Sequence, residues 1–478
     1  MEHSVQVSLF QPLPTVEELR RALELAEGEG VRAVLNRLFD EGTFVELGVY
    51  AKRSFSEYAE EGRTNEFEGV ITGYGAIEGT QVYVFAQDFS RMKGAVDETH
   101  AKKICAVYEL ALKNGVPVVG IFDSAGADVY EGVSALAAYG KIMKAVARAS
   151  GKVPQVAIVN GHCIGTAAAI AAMFDMLVCT KGADFYVNDP ALGSKGEAME
   201  AICTLRAESP LDAADKARML LHYFPACAGE GAWAETPEDS PERMLGELDW
   251  QNDPHNLLSA LTDNGGYLEI YGDYAYEVST VLTKIAGVRC GVITVSSASG
   301  GRISAKGACK ASHFVSLLDA FGIPLVTLLD SCGFAVSAED GRVPFAADIG
   351  RLASAYALSD MPKVTVVLGK AIGGAYAVMG SKAIGADVAY ALERAEIGAL
   401  PKDASVAFAW NSLITIDKKR DDLEKEWHRS LSSPVAAASK GEIDDIITTD
   451  ELRLRISAAL LMLINRGSLR FRHPVRPI

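Results

Sequence analysis

The sequence predicts an α/β protein made of two copies of one unit, and an internal repeat is the main observation behind this prediction. Residues 115–126 (GVPVVGIFDSAG) parallel residues 322–333 (GIPLVTLLDSCG) at an offset of 207. Further along, residues 154–161 (PQVAIVNG) parallel residues 362–369 (PKVTVVLG) at an offset of 208. Two matches at nearly one offset indicate a duplicated domain, because solenoid repeats have periods of roughly 20–50 residues.

Helix and strand patterns alternate within each copy. Apolar residues spaced i, i+3, i+4 and i+7 predict a helix before the first repeated strand of each half. These residues are Ile104, Val107, Tyr108 and Ala111 in the first half, and Phe314, Leu317, Leu318 and Phe321 in the second. Each helix precedes an apolar run without alternation, which is typical of a strand buried on both faces. A mainly parallel sheet is therefore expected in each half.

Two further elements and one boundary are predicted. The pattern indicates a helix over Val16–Ala26 and a strand over Gln81–Gln87. Residues 234–256 are acidic, contain Pro and have little periodicity, so we place the linker there. This gives an N-terminal domain at 1–233 and a C-terminal domain at 257–478, and a chain of 478 residues is long enough for both cores.

Composition excludes several classes of protein. With 46 Lys and Arg against 62 Asp and Glu, the net charge is −16, and without a basic block we expect no nucleic-acid partner. The eight cysteines are scattered, with no CxxC pair or metal-ligand spacing, so we expect free thiols and no metal. No signal peptide is evident. The long uncharged stretch 156–174 contains Asn160, Gly161 and His162, and predicts a buried strand, a turn and a small-residue helix, so we expect a cytoplasmic protein.

Glycine-rich turns are the candidate sites of chemistry. In each half the second repeated strand leads into a small-residue helix, at 161–169 (GHCIGTAAA) and 369–377 (GKAIGGAYA). Glycine allows close approach of a ligand, and a helix N-terminus offers unpaired N–H groups. Such paired donors form an oxyanion hole for a carbonyl oxygen. The loops Ser124–Ala127 and Ser331–Phe334 end the neighbouring strands at the same edge, where open α/β sheets bind ligands.

Other chemistries find less support. The sequence has no phosphate-binding G-x-x-x-x-G-K-[ST] loop, neither turn matches G-x-G-x-x-G, and no G-x-S-x-G elbow occurs. We expect His162 to be a packed or capping residue rather than a base. The glycines are alternatively only tight structural turns. Duplicated oxyanion holes without a nucleophile favour stabilised enolates, with one hole for each of two carbonyl groups.

These residues resemble the biotin-dependent acyl-CoA carboxyltransferase family. It includes the β subunits of propionyl-CoA and acetyl/propionyl-CoA carboxylases and the carboxyltransferase subunits of methylmalonyl-CoA and glutaconyl-CoA decarboxylases. The matching stretches are 31–48 (VRAVLNRLFDEGTFVELG), 69–75 (GVITGYG), 84–89 (VFAQDF), 100–104 (HAKKI), 319–326 (DAFGIPLV) and 373–379 (GGAYAVM). The resemblance covers about residues 30 to 465 and implies two tandem crotonase-like domains, in agreement with the repeat.

The resemblance also implies roles for individual residues. Catalytic N–H groups are expected from Gly165 and Thr166 in the first half and from Gly374 and Ala375 in the second. Substrate-binding residues are expected to be Gly126, Ala127, Gly333, Phe334, Tyr376 and Ala377. The first half would hold the coenzyme A thioester, and the second half of a neighbouring subunit would hold biotin, which itself removes the α-proton. No biotinylation motif (Met-Lys-Met) occurs, so biotin is expected on a partner, the biotin carboxyl carrier protein.

Five departures from the family pattern bear on function. Asp128 stands where the family commonly has Arg, and Thr166 stands where it usually has Gly. Ala377 occupies a position that helps set acyl preference and is often Asp, so propionyl specificity does not transfer simply. Residues 92–97 (MKGAVD) replace a Gly-Gly-Ser-Leu-Gly stretch, and the zinc ribbon of the bacterial two-part acetyl-CoA carboxylase is absent.

The predicted function is an acyl-CoA carboxyltransferase subunit, forming dimers within a hexamer. It either carboxylates an acyl-CoA with a biotin carboxylase partner or decarboxylates a carboxyacyl-CoA beside a membrane subunit of a sodium pump. A further alternative is a biotin-independent crotonase-like hydratase or hydrolase using Asp128 or Glu131 as an acidic side chain, and the last is a non-catalytic scaffold. The basic residues Arg466, Arg470, Arg472 and Arg476 form either a docking tail or a solvated surface.

Overall fold

The structure is a computed structural model. It describes residues 14–26, 29–53, 67–188, 201–228, 230, 234–246, 248–251, 253–295, 300–336 and 343–464. The basic C-terminal residues from Arg466 to Arg476 lie outside the described residues.

The first half contains the predicted alternation of helices and strands. Its helices are α1 (Val16–Ala26), α2 (Glu29–Leu38), α3 (Glu98–Asn114), α4 (Val133–Ala149), α5 (Thr166–Ala171) and α6 (Pro210–His222). Its strands are β1 (Val45–Leu47), β2 (Val70–Ile77), β3 (Thr80–Gln87), β4 (Val118–Ser124), β5 (Gln155–Ile164), β6 (Met176–Thr180), β7 (Asp184–Tyr186) and β8 (Leu205–Ala207). The helix predicted over Val16–Ala26 is confirmed, as is the order strand, turn and small-residue helix in the uncharged stretch.

The second half repeats this order and extends it. Its strands are β9 (Tyr267–Ile270), β10 (Val278–Ile285), β11 (Val288–Val295), β12 (Arg302–Ile303), β13 (Leu325–Ser331), β14 (Gly333–Phe334), β15 (Lys363–Ile372), β16 (Val388–Leu392), β17 (Glu396–Gly398) and β18 (Asp445–Ile447). Its helices are α7 (Pro254–Leu261), α8 (Ala305–Phe321), α9 (Val343–Leu358), α10 (Gly373–Val378), α11 (Lys402–Ala409), α12 (Arg420–Trp427), α13 (Pro434–Ser439) and α14 (Leu452–Ile464). A π-helical segment, His428–Ser432, joins α12 to α13.

Strand order shows that the two halves share one topology. The first sheet runs β1-β2-β3-β4-β5-β6-β8 with β7 beside β5, and the second runs β9-β10-β11-β13-β15-β16-β18 with β17 beside β15. From β3 and β11 onward the pairing is parallel. Even the register irregularity recurs, between Phe122 and Ser124 and between Leu329 and Ser331. The duplication predicted from the sequence is confirmed.

The helix that precedes the first repeated strand is delimited in the same way in both halves. Asp97 caps α3 by accepting the His100 N–H at 2.8 Å, and Ser304 caps α8 by accepting the Gly307 N–H at 3.1 Å. Both helices end at a glycine in the left-handed region, Gly115 and Gly322, as is common after a helix C-terminus. These caps fix where the chain turns into β4 and β13.

Buried side chains join the halves into one body. α3 and α4 pack on one face of the first sheet. On its other face, one apolar cluster runs from α2 and α6 to α8 of the second half, where the Phe224 and Phe321 rings meet edge to face at 5.4 Å. α7 and α14 cover the far face of the second sheet. The carboxyl edges of both sheets, where the glycine-rich turns lie, carry the candidate sites.

Across the described ranges, no helix combines the length and the apolar character needed to cross a bilayer.

Candidate functional site

The loop after β4 is shaped by a serine and two glycines. The Ser124 Oγ donates to the Gly94 carbonyl at 2.7 Å and accepts the Gly126 N–H at 3.1 Å. Gly126 has φ +115° and Gly94 has φ +61°, which L side chains rarely adopt. A Cβ at Gly94 would also lie 2.4 Å from the Asp123 carbonyl oxygen. Ser124 is fully buried and both roles of its hydroxyl are taken, so it is a structural residue and not a nucleophile.

The loop after β13 repeats this construction. The Ser331 Oγ donates to the Gly301 carbonyl at 2.9 Å and accepts the Gly333 N–H at 3.2 Å. Gly301 has φ +62° and Gly333 has φ +109°. Because the same bonds and angles occur at positions 207 residues apart, both loops present the next residue, Ala127 or Phe334, in the same way.

Ala127 and Phe334 each present an N–H group that the neighbouring strand does not use. The Val96 N–H donates to Gly126, and the Val96 carbonyl accepts the Asp128 N–H, so the ladder bonds pass on either side of Ala127. In the second half Phe334 lies opposite Ile303, whose carbonyl accepts the Ala335 N–H at 2.8 Å. Both N–H groups therefore point away from the ladder, as a ligand donor must.

The turn before α5 contains the two predicted donors of the first half, Gly165 and Thr166. Gly165 has φ +61° and caps the helix, but its N–H already donates to the Tyr186 carbonyl of β7 at 2.9 Å. The Gly165 N–H is therefore already engaged in this structure, and the positive φ of Gly165 allows the turn. Thr166 is the first residue of α5, so its N–H has no partner within the helix. Among the described residues, Ala127 and Thr166 form the available donor pair.

The turn before α10 has the same shape as the turn before α5, and aligning the two turns shows which residues are equivalent. Gly373 has φ +62° and is equivalent to Gly165, so Gly374 is equivalent to Thr166. Gly374 is exposed, whereas the predicted donor Ala375 is fully buried. This burial leaves a ligand no access to Ala375. Phe334 and Gly374 are the matching pair.

The second site is narrower than the first because an aromatic ring lies over it. A Cβ added to Gly374 would lie 3.1 Å from Phe334 Cε2. The Phe334 ring is itself held edge to face against Phe345 of α9 at 5.6 Å. Ala377 is exposed on the first turns of α10. Tyr376 packs beside the core, and the burial of its hydroxyl raises the pKa of Tyr376 to about 12.

An aspartate at the end of each first strand, half-buried in the first half and buried in the second, supports the adjacent turn. Asp123 Oδ1 accepts the His162 N–H at 2.9 Å, and Asp330 Oδ1 accepts the Lys370 N–H at 2.8 Å. Gly161 and Gly369 make room for these carboxylates, since a Cβ at either position would lie within 2.6 Å of the carboxylate oxygen. The Asp-Ser pair common to both repeats is the sequence signal for this support of the turn.

His162 differs from its predicted setting. It lies in β5 rather than on a turn, and 44% of its side chain is exposed. Its Nδ1 lies 3.2 Å from Asp123 Oδ1, and its ring stacks on Phe89 at 4.3 Å. The expectation that His162 is packed against neighbours is met by Phe89, but the ring is not buried.

Asp128, at the usual Arg position, is neutralised by an arginine from elsewhere in the chain. The buried Arg53 bonds Asp128 through Nη2, and its Nε lies 3.7 Å from Asp97 Oδ2. Asp128 Oδ1 also accepts the Tyr130 N–H at 3.1 Å. Glu131 Oε2 accepts the Glu98 N–H at 2.9 Å. Both acidic residues considered for hydratase chemistry are therefore engaged in structural bonds.

A buried polar chain behind this loop was not predicted from the sequence. Glu68 Oε1 pairs with His100 Nδ1 at 2.9 Å, His100 Nε2 lies 3.2 Å from Gln87 Nε2, and Gln87 Oε1 accepts the Asp123 N–H. The Gln87 amide therefore donates to Nε2, which places the His100 proton on Nδ1. Burial raises the pKa of Glu68, but the hydrogen bond from His100, a side-chain hydrogen bond with Asp97 and the Arg53 charge lower it more, so the net shift is downward.

Comparisons with known proteins agree with this geometry. The carboxyl transferase domain model matches residues 26–201 and 198–476. The methylmalonyl-CoA decarboxylase subunit alpha of Veillonella parvula is 32% identical, over 91% of this chain and 90% of that protein. The propionyl-CoA carboxylase beta chain of Roseobacter denitrificans is 30% identical, over 94% of each.

A solved structure gives the same result for the fold. The transcarboxylase 12S hexamer assembly, with methylmalonyl-coenzyme A and methylmalonic acid bound, superposes with a TM-score of 0.89. It is 28% identical and covers 98% of this chain and 100% of that one. Two tandem crotonase-like α/β units, each with a backbone donor pair at its sheet edge, are the architecture of a carboxyltransferase. The chain belongs to the carboxyl transferase family, and both the family and the fold predicted from its motifs are confirmed.

Proposed function

We propose that this protein is the carboxyltransferase component of a biotin-dependent enzyme that moves a carboxyl group between carboxybiotin on a carrier protein and the α-carbon of a propionyl-CoA-like or methylmalonyl-CoA-like substrate. One observation carries the proposal. The two halves have equivalent accessible N–H pairs, Ala127 with Thr166 and Phe334 with Gly374, that suit two carbonyl groups. The relatives that are named for propionyl-CoA and methylmalonyl-CoA support the substrate class.

The first half is proposed to hold the thioester. Its carbonyl oxygen would accept the Ala127 and Thr166 N–H groups, and the small Ala127 side chain leaves room for the acyl group. When the α-proton leaves, charge develops on this oxygen as an enolate. Fixed backbone donors stabilise that charge without reorganising, and each is worth about 3–4 kcal/mol of the barrier.

The second half fits a flat cyclic urea. The Phe334 ring packs directly against Gly374 and narrows this site, and the N–H groups of these two residues would hold a ureido oxygen. When bound, biotin would supply the transferred carboxyl group and the nitrogen that takes the α-proton. The chain orients it and excludes side-chain bases, since the equivalent positions Ala169 and Ala377 carry only methyl groups.

The hydratase or hydrolase alternative is weaker because its acid is missing. It requires a carboxyl group facing the thioester, and Asp128 and Glu131 are held by Arg53 and by backbone N–H groups. An enoyl-CoA hydration assay tests it directly, and no hydration is expected.

Sites between copies of the chain are part of the proposal. Val129 and Val336, at equivalent positions two residues past the donors, are 80% and 88% exposed. Apolar side chains at two related edges suit a symmetric association that brings the first half of one copy to the second half of another. The hexamer assembly of transcarboxylase 12S supports a homo-oligomer.

A second candidate is the same transferase working in a decarboxylase beside a membrane subunit. The decarboxylase relative matches as closely as the carboxylase relative, at 32% against 30% identity. The partner protein distinguishes the two candidate functions, since a biotin carboxylase partner implies carboxylation and a membrane subunit implies decarboxylation.

The test mixes the protein with biotinylated carrier protein and a panel of labelled carboxyacyl-CoAs. We expect label to appear on the carrier, fastest from methylmalonyl-CoA. Thr166→Pro, which lacks the N–H, is the negative control, and Thr166→Ala, which keeps it, is the matched one. Absence of transfer with every carboxyacyl-CoA would overturn the proposal.

A further inference from the structure

A small polar pit lies at the junction of the two halves. It measures about 20 Å³ and is lined by the end of α5 and by residues of both halves. Its polar lining residues are Asp175 and Thr204 from the first half and Tyr271 and His313 from the second. All four are more than nine-tenths buried. The polar side chains of the pit are therefore shielded from solvent by the surrounding protein.

Three of these residues form a continuous hydrogen-bond path between the halves. The Thr204 Oγ accepts the Leu177 N–H at 2.9 Å and donates to the Tyr271 hydroxyl at 3.2 Å. The Tyr271 hydroxyl lies 2.9 Å from His313 Nε2. The Tyr271 oxygen accepts from Thr204, and with the Tyr271 proton donated to a His313 Nε2 that carries none, one acceptor lone pair remains on the oxygen. The Tyr271 N–H also donates to the Thr204 carbonyl at 2.9 Å, which holds its φ at +56°.

The fourth residue has an unused oxygen. Asp175 Oδ2 accepts the Gln155 N–H at 2.9 Å, but Oδ1 is buried and finds no partner among the described residues. The equivalent residue of the second half, Asp387, also accepts a backbone N–H, from Lys363 at 2.8 Å. Asp387 is only partly buried, so solvent reaches it. A polar oxygen that is fully buried without a partner costs free energy, and this cost is what a bound molecule would remove.

We propose that one water molecule occupies this pit and bridges Asp175 Oδ1 to the Tyr271 hydroxyl, which completes a hydrogen-bonded path from Asp175 to His313 across the junction of the halves. A volume of about 20 Å³ holds one water, since a single probe sphere needs about 10–15 Å³. The water donates one proton to Asp175 and the other to the free lone pair of Tyr271.

The bridge makes the junction sensitive to protonation. Burial raises the pKa of Asp175 to about 8, against a small opposing effect of the Gln155 N–H. The other titratable groups around the path are His313 on α8, Tyr108 on α3, and Cys203 beside Tyr271. When Asp175 is neutral its hydroxyl donates to the water, and when it is ionised the water donates to it, so the water serves both states.

A crystal structure of the full chain at about 1.8 Å resolution tests the water directly. We expect one density peak within hydrogen-bond distance of Asp175 Oδ1 and Tyr271 Oη. Tyr271→Phe removes one partner and should lower the occupancy of the peak while the neighbouring side chains stay in place. An empty pit with well-ordered walls, or an unchanged peak in Tyr271→Phe, would overturn the proposal.

The pH dependence of thermal unfolding supplies a second readout. A carboxyl whose pKa is raised in the folded state contributes stability at low pH that is lost as pH rises from about 4 through about 8. In Asp175→Asn the loss of stability with rising pH should be smaller, by the amount expected for one titrating proton. In Tyr271→Phe the midpoint pH of this loss should move upward. The matched control Asp387→Asn should keep the wild-type profile. The same profile in wild type and Asp175→Asn would contradict the coupling.

Discussion

The two halves share a scaffold and differ in what lines it. At equivalent positions both use three glycines with positive φ and an Asp-Ser pair, in which the serine shapes the loop and the aspartate carboxylate holds the adjacent strand. The residues that meet a ligand have diverged, with Ala127 against Phe334, Thr166 against Gly374, and His162 against Lys370. Positions that shape the backbone have been kept through the duplication, and positions that contact ligands have not.

This difference indicates two ligands with one common group. In the proposed function, both sites present two N–H donors to one oxygen, so each ligand is expected to carry a carbonyl. The first site is open beside Ala127, and the second is covered by the Phe334 ring, which Phe345 fixes in place. An acyl chain needs the open site, and a flat ring suits the covered one. The proposed assignment of the thioester to the first half and biotin to the second, which the family resemblance implies, agrees with this contrast.

The largest effects are expected from removing one donor in each half. Thr166→Pro and Gly374→Pro lose the N–H at positions in the first turn of a helix where Pro is tolerated. Each should lower carboxyl transfer by about 10²–10³-fold. Gly374→Ala is the matched control, because it adds the same contact with Phe334 and keeps the N–H. Light scattering should show the same oligomer in all variants.

Binding separates the roles of the two halves. Thr166→Pro should weaken acyl-CoA binding measured by calorimetry, whereas Gly374→Pro should leave it unchanged. The opposite result would exchange the ligands between the halves, and unchanged transfer in both variants would remove the oxyanion-hole assignment.

Exchanging the side chains over the donors sharpens the comparison further. Phe334→Ala opens the second site and should raise the KM for free biotin by about 10-fold, since a lost aromatic contact is worth about 0.5–1.5 kcal/mol beyond its area. Its KM for acyl-CoA should stay the same. Ala127→Phe should do the reverse by closing the first site. If Phe334→Ala changes the KM for acyl-CoA instead, the ring does not cover the biotin site.

Ala377 is expected to have a smaller effect, limited to substrate choice. It is exposed on α10, and Ala169 is its equivalent on α5. Ala377→Asp adds bulk and charge beside the second turn and should change the relative kcat/KM across acetyl-, propionyl- and butyryl-CoA by about 5-fold. Ala377→Ser is the uncharged control. An unchanged ranking in Ala377→Asp would remove this residue from acyl selection.

Sequence alone predicted the duplicated scaffold well, because its signals are local. The helix Val16–Ala26, the buried strands and the turns at Gly165 and Gly373 follow from spacing, glycine and helix N-termini within a few residues of each other. The bond from the Gly165 N–H to the Tyr186 carbonyl could not be predicted from the sequence, because it depends on the pairing of β5 with β7.

The pairing of Arg53 with Asp128 could not be predicted either, because it too depends on residues that are far apart in the sequence. Arg53 and Asp128 are 75 residues apart, and no local pattern links them. The substitution at the usual Arg position therefore seemed to remove a positive charge from the first loop. In the folded chain an arginine stands there after all, supplied from another segment and bonded to two carboxylates.

The smallest expected effect concerns how an acidic protein attracts an anionic substrate. With a net charge of −16, the chain repels coenzyme A except near local cations. Lys93 is exposed beside the first site, where its carbonyl accepts the Ala125 N–H at 2.9 Å, and no described carboxylate pairs with it. Lys93→Glu should raise the KM for acyl-CoA about 3-fold with kcat unchanged, and the difference should shrink in high salt. Lys113→Glu, at the C-terminal end of α3 near the opposite edge of the sheet, is the control and should leave KM unchanged. Equal effects of the two variants on KM would show that only the overall charge of the protein matters. Lys93, which the second half replaces with Gly300, would then not distinguish the electrostatics of the two sites.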